Sequence, residues 1–358
     1  MRSWLILPIG LVAAIVILLP LAALTDTGVE YEFREALGLE TKGCRPTVDA
    51  SSPWQTGASL PFALDEARAV TLDGDVYIAG GATGFTELPD GRLVLDSSNR
   101  MLRFEPETET YAELAPMPRP LNHIGLVKHR HNLYVFGGYG RNLDQDTSKA
   151  FYRYEPGRDR WSRLPDMPVP VAAMGAGIVG DRLIVAGGAR DTVPDSKTFA
   201  FNFRTQRWSR LPDMPGPREH VGATTLDGSL YVLGGRTSRS FAIQEAGRYE
   251  ADHSRWESLP ALQVPTGGAA AVTSEGSVLV IGGGNDRAET VTGAVQEWDA
   301  RDPDGWKRLD DMRTPRHGHA AAVADGKIWV FGGSPCAYFA ATDNVEWLPA
   351  PGSAVAAD

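Results

Sequence analysis

Several residue types are scarce in this sequence, and each shortage excludes a class of protein. The 358 residues include only two cysteines, too few to complete a cysteine-based metal cluster. Basic residues are outnumbered, since 35 lysines and arginines face 45 aspartates and glutamates, giving a net charge of −10 at pH 7. A non-specific nucleic-acid-binding protein needs a basic face, so this balance argues against that function. The sequence also has no P-loop, dinucleotide-binding fingerprint or Ser-His-Asp spacing.

One long uncharged hydrophobic run is present, from Trp4 to Leu24, with Arg2 before it and Asp26 after it. At about 1.5 Å per helical residue, this run can cross a hydrocarbon core of about 30 Å. We therefore expect residues 1–25 to form a transmembrane helix that acts as a signal anchor. The positive charge before the run and the acidic residue after it place the rest of the chain on the periplasmic or extracellular side.

A cleaved signal peptide is the alternative to this anchor. Signal peptides have a shorter apolar region, of about 7–15 residues, and a cleavage site with small residues. The segment Ala22-Ala23-Leu24 fits such a site poorly. This mismatch favours the retained anchor, and the alternative stays open.

The remaining sequence is organised by a repeat. It is rich in glycine (39 residues) and proline (25 residues), as expected for many short strands joined by tight turns. Six hydrophobic runs end in a glycine doublet, and successive doublets are 57, 50, 47, 48 and 50 residues apart. A period near 50 residues, with room for four strands, is typical of propeller blades. The doublets are Gly80-Gly81, Gly137-Gly138, Gly187-Gly188, Gly234-Gly235, Gly282-Gly283 and Gly332-Gly333.

The repeat carries two further marks. An acidic residue followed by glycine separates apolar runs and predicts hairpins, because glycine accepts the positive φ of the turn. Two aromatic residues follow most doublets at a distance. The turns are Asp73-Gly74, Asp227-Gly228, Glu275-Gly276 and Asp325-Gly326, and the aromatic pairs are Phe104/Tyr111, Tyr154/Trp161, Phe201/Trp208, Tyr249/Trp256 and Trp298/Trp306.

These residues resemble the kelch repeat, whose hallmark is a double glycine followed by an aromatic pair. The resemblance covers residues 54–349 and implies an all-β fold, a six-bladed kelch-type β-propeller over residues 51–350. The glycines would let neighbouring sheets approach closely, and the aromatics would fill the space between diverging blades. Residues 26–50 would then form a stalk, and residues 351–358 a disordered tail.

The two ends of the chain are expected to share the sixth blade. The segment Val345-Glu346-Trp347 lies near the place of the third-strand aromatic, and the Trp54 segment can supply the missing fourth strand. Such closure removes two exposed sheet edges. Cys44 and Cys336 would then lie at the same seam, and an even pair in an exported domain suggests a disulfide bond between them.

The resemblance also implies where a ligand binds. In kelch propellers, ligands usually meet the loops that surround one mouth of the central channel. Fourteen residues before the first glycine of a doublet, three copies carry Glu66, His123 and His220. Nearby positions complete the candidate ligand-binding set: Arg68, Arg218, Glu219, Arg236, Arg316, His317 and His319.

Three interpretations of this mouth remain open. It is a solvated rim, or it binds a protein partner or an acidic ligand such as a sugar acid, since arginine binds carboxylates with two parallel hydrogen bonds. Alternatively it is the site of a carbohydrate-active enzyme, such as a sialic-acid mutarotase or epimerase, with a histidine or glutamate as general base. We favour the binding module and assign no catalytic residue.

We expect no cofactor and no metal. His317 and His319 point to one face of a strand, but no cysteine or histidine cluster completes their ligand set. A galactose-oxidase-like copper enzyme is the least favoured reading. Cys336, Tyr338 and the two histidines resemble its residue types, yet adjacency on a loop is not that site's geometry.

Overall fold

The structure of the protein is a computed structural model that describes residues 47–353, apart from 90–92, 142–145, 286–287, 289, 300, 302–304 and 338. The predicted anchor (1–25), all but the last residues of the predicted stalk (26–50) and Cys44 lie outside the described residues. Within the described ranges, no helix is both long and apolar enough to cross a membrane. The anchor and the Cys44–Cys336 disulfide therefore stay predictions.

The described chain contains twenty-nine strands, β1 to β29, and one 3-10 turn, at Pro156–Arg158. Strand β1 spans Gln55–Thr56. The first blade contains β2 (Asp65–Leu72), β3 (Asp75–Glu87), β4 (Leu93–Ser97), β5 (Met101–Glu105) and β6 (Thr110–Glu113). The second contains β7 (Gly125–His129), β8 (Asn132–Phe136), β9 (Phe151–Glu155) and β10 (Arg160–Arg163). The third contains β11 (Gly175–Val179), β12 (Arg182–Ala186), β13 (Ala189–Arg190), β14 (Val193–Pro194), β15 (Thr198–Asn202) and β16 (Arg207–Leu211).

The fourth to sixth blades follow the same plan. The fourth contains β17 (Gly222–Leu226), β18 (Ser229–Leu233), β19 (Ala246–Glu250) and β20 (Arg255–Leu259). The fifth contains β21 (Ala270–Ser274), β22 (Ser277–Ile281), β23 (Gly284–Asn285), β24 (Thr290–Val291), β25 (Val295–Asp299) and β26 (Lys307–Leu309). The sixth contains β27 (Ala320–Ala324), β28 (Lys327–Phe331) and β29 (Val345–Pro349).

Twenty-five of these strands form six antiparallel sheets arranged in a ring, while β13 with β14 and β23 with β24 form two separate two-stranded sheets. Each of the six sheets runs outward in the order of its four main strands, and β4 adds a fifth strand to the first sheet by pairing with the extended end of β3. The innermost strands β2, β7, β11, β17, β21 and β27 each contact the next, and β27 contacts β2. The six-bladed propeller predicted from the doublets is confirmed.

The glycine doublets join each blade to the next one. The N–H of the second glycine donates to a backbone carbonyl of the following blade: Gly81 to Leu121 at 3.0 Å, and Gly333 to Leu64 at 2.8 Å. The first glycine faces the same carbonyl, and a Cβ at Gly80 would lie 2.7 Å from the Leu121 oxygen. Both glycines have positive φ in all six copies, which an L-residue adopts only with strain. A doublet is therefore required at every junction between blades.

Large aromatic side chains fill the outer space between blades, as predicted. Tyr154 lies directly opposite Trp161 in the register of β9 and β10, with ring centroids 5.0 Å apart. The indole Nε1 of Trp161 donates to the Ala115 carbonyl of the preceding blade at 2.9 Å. Trp208, Trp256 and Trp306 make the same bond to the carbonyls of Pro165, Pro212 and Pro260.

The chain ends meet in the sixth blade, as the sequence predicts. Strand β1 pairs antiparallel with β29, placing Gln55 opposite Trp347. Trp54 is fully buried, and its Nε1 donates to the Asp310 carbonyl of the fifth blade at 3.0 Å. Trp54 therefore takes the place that Trp161 has in the second blade.

In β29, the position that carries an aromatic residue in the other blades is one residue after Trp347. Leu348, not Trp347, lies opposite Ile328 of β28. This matches Tyr249 opposite Leu230 in the fourth blade. Trp347 points to the other face of the sheet because side chains alternate along a strand.

The acid-glycine turns are confirmed as hairpins. Both turn residues have positive φ in all four, for example 52° at Asp73 and 95° at Gly74. This conformation is typical of the two-residue turns that match the twist of paired strands.

The hydrophobic core is divided among the interfaces between blades. At the seam between the first and sixth blades, Phe104 lies 4.9 Å from Trp329 and 5.2 Å from Phe331, measured between ring centroids. All three residues belong to one buried cluster. The closing interface is thus packed like the interior of the ring.

The contacts of the propeller extend slightly beyond its predicted bounds. The Asp49 N–H donates to the Arg313 carbonyl at 2.8 Å, two residues before the predicted start at 51. Of the predicted tail 351–358, residues 351–353 form a turn in which the Ser353 N–H donates to the Ala350 carbonyl at 3.0 Å. Residues 354–358 lie outside the described residues.

A Gly332→Ala substitution tests the doublet at the seam. The new Cβ would collide with the Leu64 carbonyl, and φ at Gly332 is +61°. We expect the free energy of unfolding to fall by at least about 2–3 kcal/mol, from clash and backbone strain together. Urea unfolding followed by tryptophan fluorescence measures this loss.

Gly216→Ala is the matched control, because a Cβ there meets no atom within 4 Å. We expect it to change the free energy of unfolding by no more than about 0.5 kcal/mol. Equal losses in the two variants would contradict the role assigned to the doublet.

Candidate functional site

Six equivalent residues surround the axis at one mouth of the channel. These residues, the axial ring, lie at or just before the start of the innermost strands and all have positive φ, between 48° and 69°. Backbone hydrogen bonds link five of the six neighbouring pairs; for example, the His123 N–H donates to the Glu66 carbonyl at 3.1 Å, and the Glu66 N–H to the Gly318 carbonyl at 2.7 Å. The ring consists of Glu66, His123, Ala173, His220, Gly268 and Gly318.

Three side chains of the axial ring meet at its centre. The His123 Nε2 lies 2.9 Å from the His220 Nε2 and 3.3 Å from the Glu66 Oε2. The His220 Nε2 lies 3.9 Å from the Glu66 Oε1. Only 6–13% of each of these side chains is exposed. We call Glu66, His123 and His220 the axial triad.

Two neighbouring side chains hold the histidines of the triad. The His123 Nδ1 is hydrogen-bonded to the Asn122 Oδ1, and the His220 Nδ1 to the Glu219 Oε2. The Asn122 Nδ2 donates to the Gly140 carbonyl at 3.2 Å and to the Ser97 Oγ at 2.8 Å. A carbonyl oxygen only accepts, so these bonds fix the orientation of the Asn122 amide.

Burial sets the protonation of His123, and the surrounding basic groups set that of Glu66. Burial disfavours the imidazolium and lowers the pKa of His123 to about 3, against the attraction of Glu66. Burial alone would raise the pKa of Glu66, but the basic groups around it, chiefly His123, His220 and Arg68, outweigh burial and lower that pKa below its usual range. At neutral pH Glu66 is ionised and His123 is neutral.

The sequence analysis missed Asp65, which lies beside the triad and is buried. Its Oδ2 accepts from the Ser334 Oγ, and its Oδ1 accepts from the Glu66 N–H at 2.9 Å. Burial, reinforced by the charge of Glu66, raises the pKa of Asp65 well above its usual range. The sequence signal for Asp65 was its position directly before Glu66. In the fold, Asp65 pairs with Ala82, the residue that follows the first doublet.

Two of the predicted arginines are buried, one bonded to backbone carbonyls and the other beside a buried carboxylate. The Arg218 Nη1 donates to the Glu245 carbonyl at 2.7 Å and to the Gly234 carbonyl at 3.3 Å. Arg316 is fully buried, with its Nη2 3.7 Å from the Glu346 Oε2. Their guanidinium groups are used within the fold, so the predicted arginine-rich mouth is smaller than the sequence suggests.

The other predicted residues lie close to the axis. Arg68 donates to the Ala67 carbonyl at 3.1 Å, and Arg236 lies 5.9 Å from the centre of the Phe241 ring. The His317 Nδ1 lies 3.9 Å from the Glu66 Oε1. His319 is 1% exposed, and burial lowers its pKa to about 3.

The space inside the channel is small. A cavity of about 80 Å³ is lined by Arg68, His319 and small inner-strand residues such as Gly125 and Ala176. Pockets that enclose drug-sized ligands measure roughly 300–1,000 Å³. This cavity is smaller than that range.

The expectation of no metal rested on His317 and His319 and overlooked the axial triad. The ligating atoms of the triad lie within 4.8 Å of one another, and this set can hold a metal ion. Its members are 57 and 97 residues apart in sequence, so no local motif reveals them. Their equal distance to the glycine doublets was the usable signal.

Comparisons with known proteins agree with this architecture. A family model described as the KLHDC2/KLHL20/DRC7 Kelch-repeats domain matches residues 66–266, more than half of the chain. The zebrafish (Danio rerio) Kelch repeat and BTB domain-containing protein 12 is 34% identical over 88 residues. That match covers 25% of this chain and 14% of the relative's length.

Substitutions in the Arg316–Glu346 pair test whether Arg316 stabilises the folded chain. We expect Arg316→Ala to lower the free energy of unfolding by about 3–5 kcal/mol, because it leaves the buried Glu346 carboxylate without its cation. The double variant Arg316→Met with Glu346→Leu should lose less, since no unpaired charge remains. Thermal or urea unfolding measures both.

Arg255→Ala serves as the control, because Arg255 is 63% exposed in its pair with Glu250. Its loss should not exceed about 1 kcal/mol. If Arg316→Ala is as mild as this control, Arg316 is not part of the structural framework.

Proposed function

This chain belongs to the kelch-repeat family, and from that membership we propose that its propeller is a binding module for a protein partner. The partner would meet the loops around the channel mouth, on the face that carries the axial ring. We further propose that the propeller is held on the periplasmic or extracellular side of a membrane by its N-terminal segment.

The observation that carries the binding proposal is a groove on the mouth face. It has a volume of about 480 Å³ and lies between loops of the first and sixth blades. Phe85, which is 38% exposed, packs edge-to-face against Phe339 with ring centroids 4.9 Å apart. Accessible aromatic side chains in a groove are typical anchors for protein partners. The groove is lined by Thr83, Gly84, Phe85, Pro335, Phe339, Ala340, Ala341 and Thr342.

The first blade adds a feature that enlarges this face. Strand β3 continues past its doublet to Glu87 and pairs with β4, with Phe85 opposite Leu95. This ribbon explains why the first two doublets are 57 residues apart, the longest spacing in the chain. Its backbone hydrogen bonds give the groove a wall of regular structure.

A protein partner is favoured over an acidic small ligand because several arginines are already engaged. Arg218 and Arg316 are bound within the fold, and Arg190 pairs with Asp195 at 2.8 Å. We assign neither a mutarotase nor a copper-oxidase activity. The channel cavity of about 80 Å³ does not enclose a sugar, and Tyr338 lies outside the described residues.

The sequence supports the membrane tether. The uncharged run from Trp4 to Leu24, preceded by Arg2, is long enough to span a bilayer. Cys336 follows the sixth doublet, and the described residues include no free cysteine. A bond from Cys44 to Cys336 would hold the stalk to the seam, and it belongs to the same proposal.

Site-specific photo-cross-linking in membranes of the source cells tests the proposal. A photoreactive phenylalanine analogue at position 85 or 339 should give the same protein adduct, because both positions line one groove. Phe85→Ala should weaken binding of that partner by about tenfold or more, as expected when an aromatic anchor is lost. The chain should remain in the pellet after alkaline carbonate washing, and non-reducing mass spectrometry should show Cys44 linked to Cys336.

Position 131 provides the control, because the His131 side chain is 89% exposed and lies in the β7–β8 turn, away from the mouth. We expect no adduct from this position. No adduct from positions 85 and 339, or equal labelling from all three, would overturn the binding proposal. Release by carbonate, or two free thiols, would overturn the tether or the disulfide without affecting the binding result.

A further inference from the structure

We propose that the Nε2 atoms of His123 and His220 and the carboxylate of Glu66 bind a divalent first-row transition-metal ion, such as Zn²⁺, at the mouth of the central channel. Two imidazoles and one carboxylate with open positions are a common ligand set for such ions.

The spacing of the three ligand groups fits a metal centre. Ligand atoms at about 2.0–2.1 Å from a tetrahedral Zn²⁺ lie about 3.3 Å from one another. The His123 Nε2 is 2.9 Å from the His220 Nε2 and 3.3 Å from the Glu66 Oε2, and the three ligating groups lie within 4.8 Å of one another. Small side-chain rotations would bring all three to one ion.

Hydrogen bonds direct the lone pairs of both histidines to this point. The Asn122 Oδ1 can only accept, so the His123 Nδ1 carries the proton and its Nε2 presents a lone pair. A carboxylate oxygen of Glu219 accepts from the His220 Nδ1, so in the neutral ring the His220 Nε2 presents a lone pair as well. Metal-binding histidines typically donate their other N–H to a carboxylate or carbonyl oxygen in this way.

Three polar groups therefore converge on one buried point, where the His123 Nε2 and the His220 Nε2 lie within hydrogen-bonding distance of each other, 2.9 Å apart. In its neutral form each triad histidine has one N–H, and its Nδ1 hydrogen bond directs that N–H away from the axis. Converging lone pairs repel, and the repulsion is relieved only by a shared proton or by a cation. A divalent ion satisfies all three groups at once.

The backbone of the axial ring, which the fold imposes on Ala173 as well, aims the three side chains at the axis. The axial ring has positive φ throughout, a conformation that glycine adopts without strain, as at Gly268 and Gly318. Glu66, His123 and His220 adopt it with φ of 53°, 51° and 48°. A glycine would fit each of these three positions without strain, yet each carries a side chain that can ligate a metal.

Metal binding to the purified full-length chain in detergent tests the proposal. After treatment with a chelator and its removal, calorimetric titration with Zn²⁺ alone should show one site per chain. Zn²⁺ should raise the melting temperature of the wild-type chain, because it binds only the folded state. Co²⁺ should give the visible absorption of a site with low coordination number.

Three conservative variants locate the ion. Glu66→Gln, His123→Gln and His220→Gln should each weaken Zn²⁺ binding by at least about 100-fold, since each removes a ligand. Asn122→Ala should weaken it by about 10–100-fold, since it frees the His123 ring. His253→Gln, whose side chain is 66% exposed and distant in the fourth blade, should change nothing.

The wild-type chain alone can overturn the proposal, whatever the folding of the variants. No binding of Zn²⁺, Co²⁺ or Mn²⁺ at millimolar concentration would mean that a shared proton holds the triad together. Binding that survives all three triad variants would place the ion elsewhere. Because these measurements need no protein partner, a failure of the metal proposal can be distinguished from a failure of the proposed function tested by cross-linking.

Discussion

The hydrogen bond from the second glycine of each doublet to the next blade is the constraint on which the rest of the structure depends. Gly333 makes it to Leu64 at 2.8 Å, and Gly81 makes it to Leu121 at 3.0 Å. The first glycine removes the Cβ that would block this approach, while its own N–H bonds to the residue directly before the third strand of its blade, as from Gly332 to the Asn344 carbonyl at 2.9 Å. Each doublet thus fixes both the end of one sheet and the position of its neighbour.

The same junctions place the candidate site. Each doublet binds the segment before the next innermost strand, so six such segments are held at one radius around the axis. The six residues of the axial ring are therefore also held around the axis. The fold requires the backbone of this ring but not its side chains, since Ala173, Gly268 and Gly318 serve as well. Glu66 and the two triad histidines are therefore additions to a complete framework. A conserved architecture with variable axial side chains is how one propeller fold supports different ligands.

The sequence predicts the fold well because its signals are local and repeated. The doublets, the acid-glycine turns and the aromatic pairs each lie within one blade, and Trp54 was recognisable as the missing outer strand. The site was harder to predict because side-chain partners depend on three dimensions. The sequence predicts Arg218 and Arg316 at the mouth. In the structure, Arg218 binds the Glu245 carbonyl and Arg316 faces Glu346. The triad joins residues from three blades, and only the common distance to the doublets related them.

The most direct test of the account is amide hydrogen exchange of the chain labelled with ¹⁵N-glycine. The second glycine of every doublet, including Gly333 at the seam, should be protected to a similar degree, because all six N–H groups donate across a junction between blades. Gly228, in a hairpin turn where a Cβ would meet open space, should exchange faster. Exchange of Gly333 at the rate of Gly228, with the other doublets protected, would contradict a closed ring.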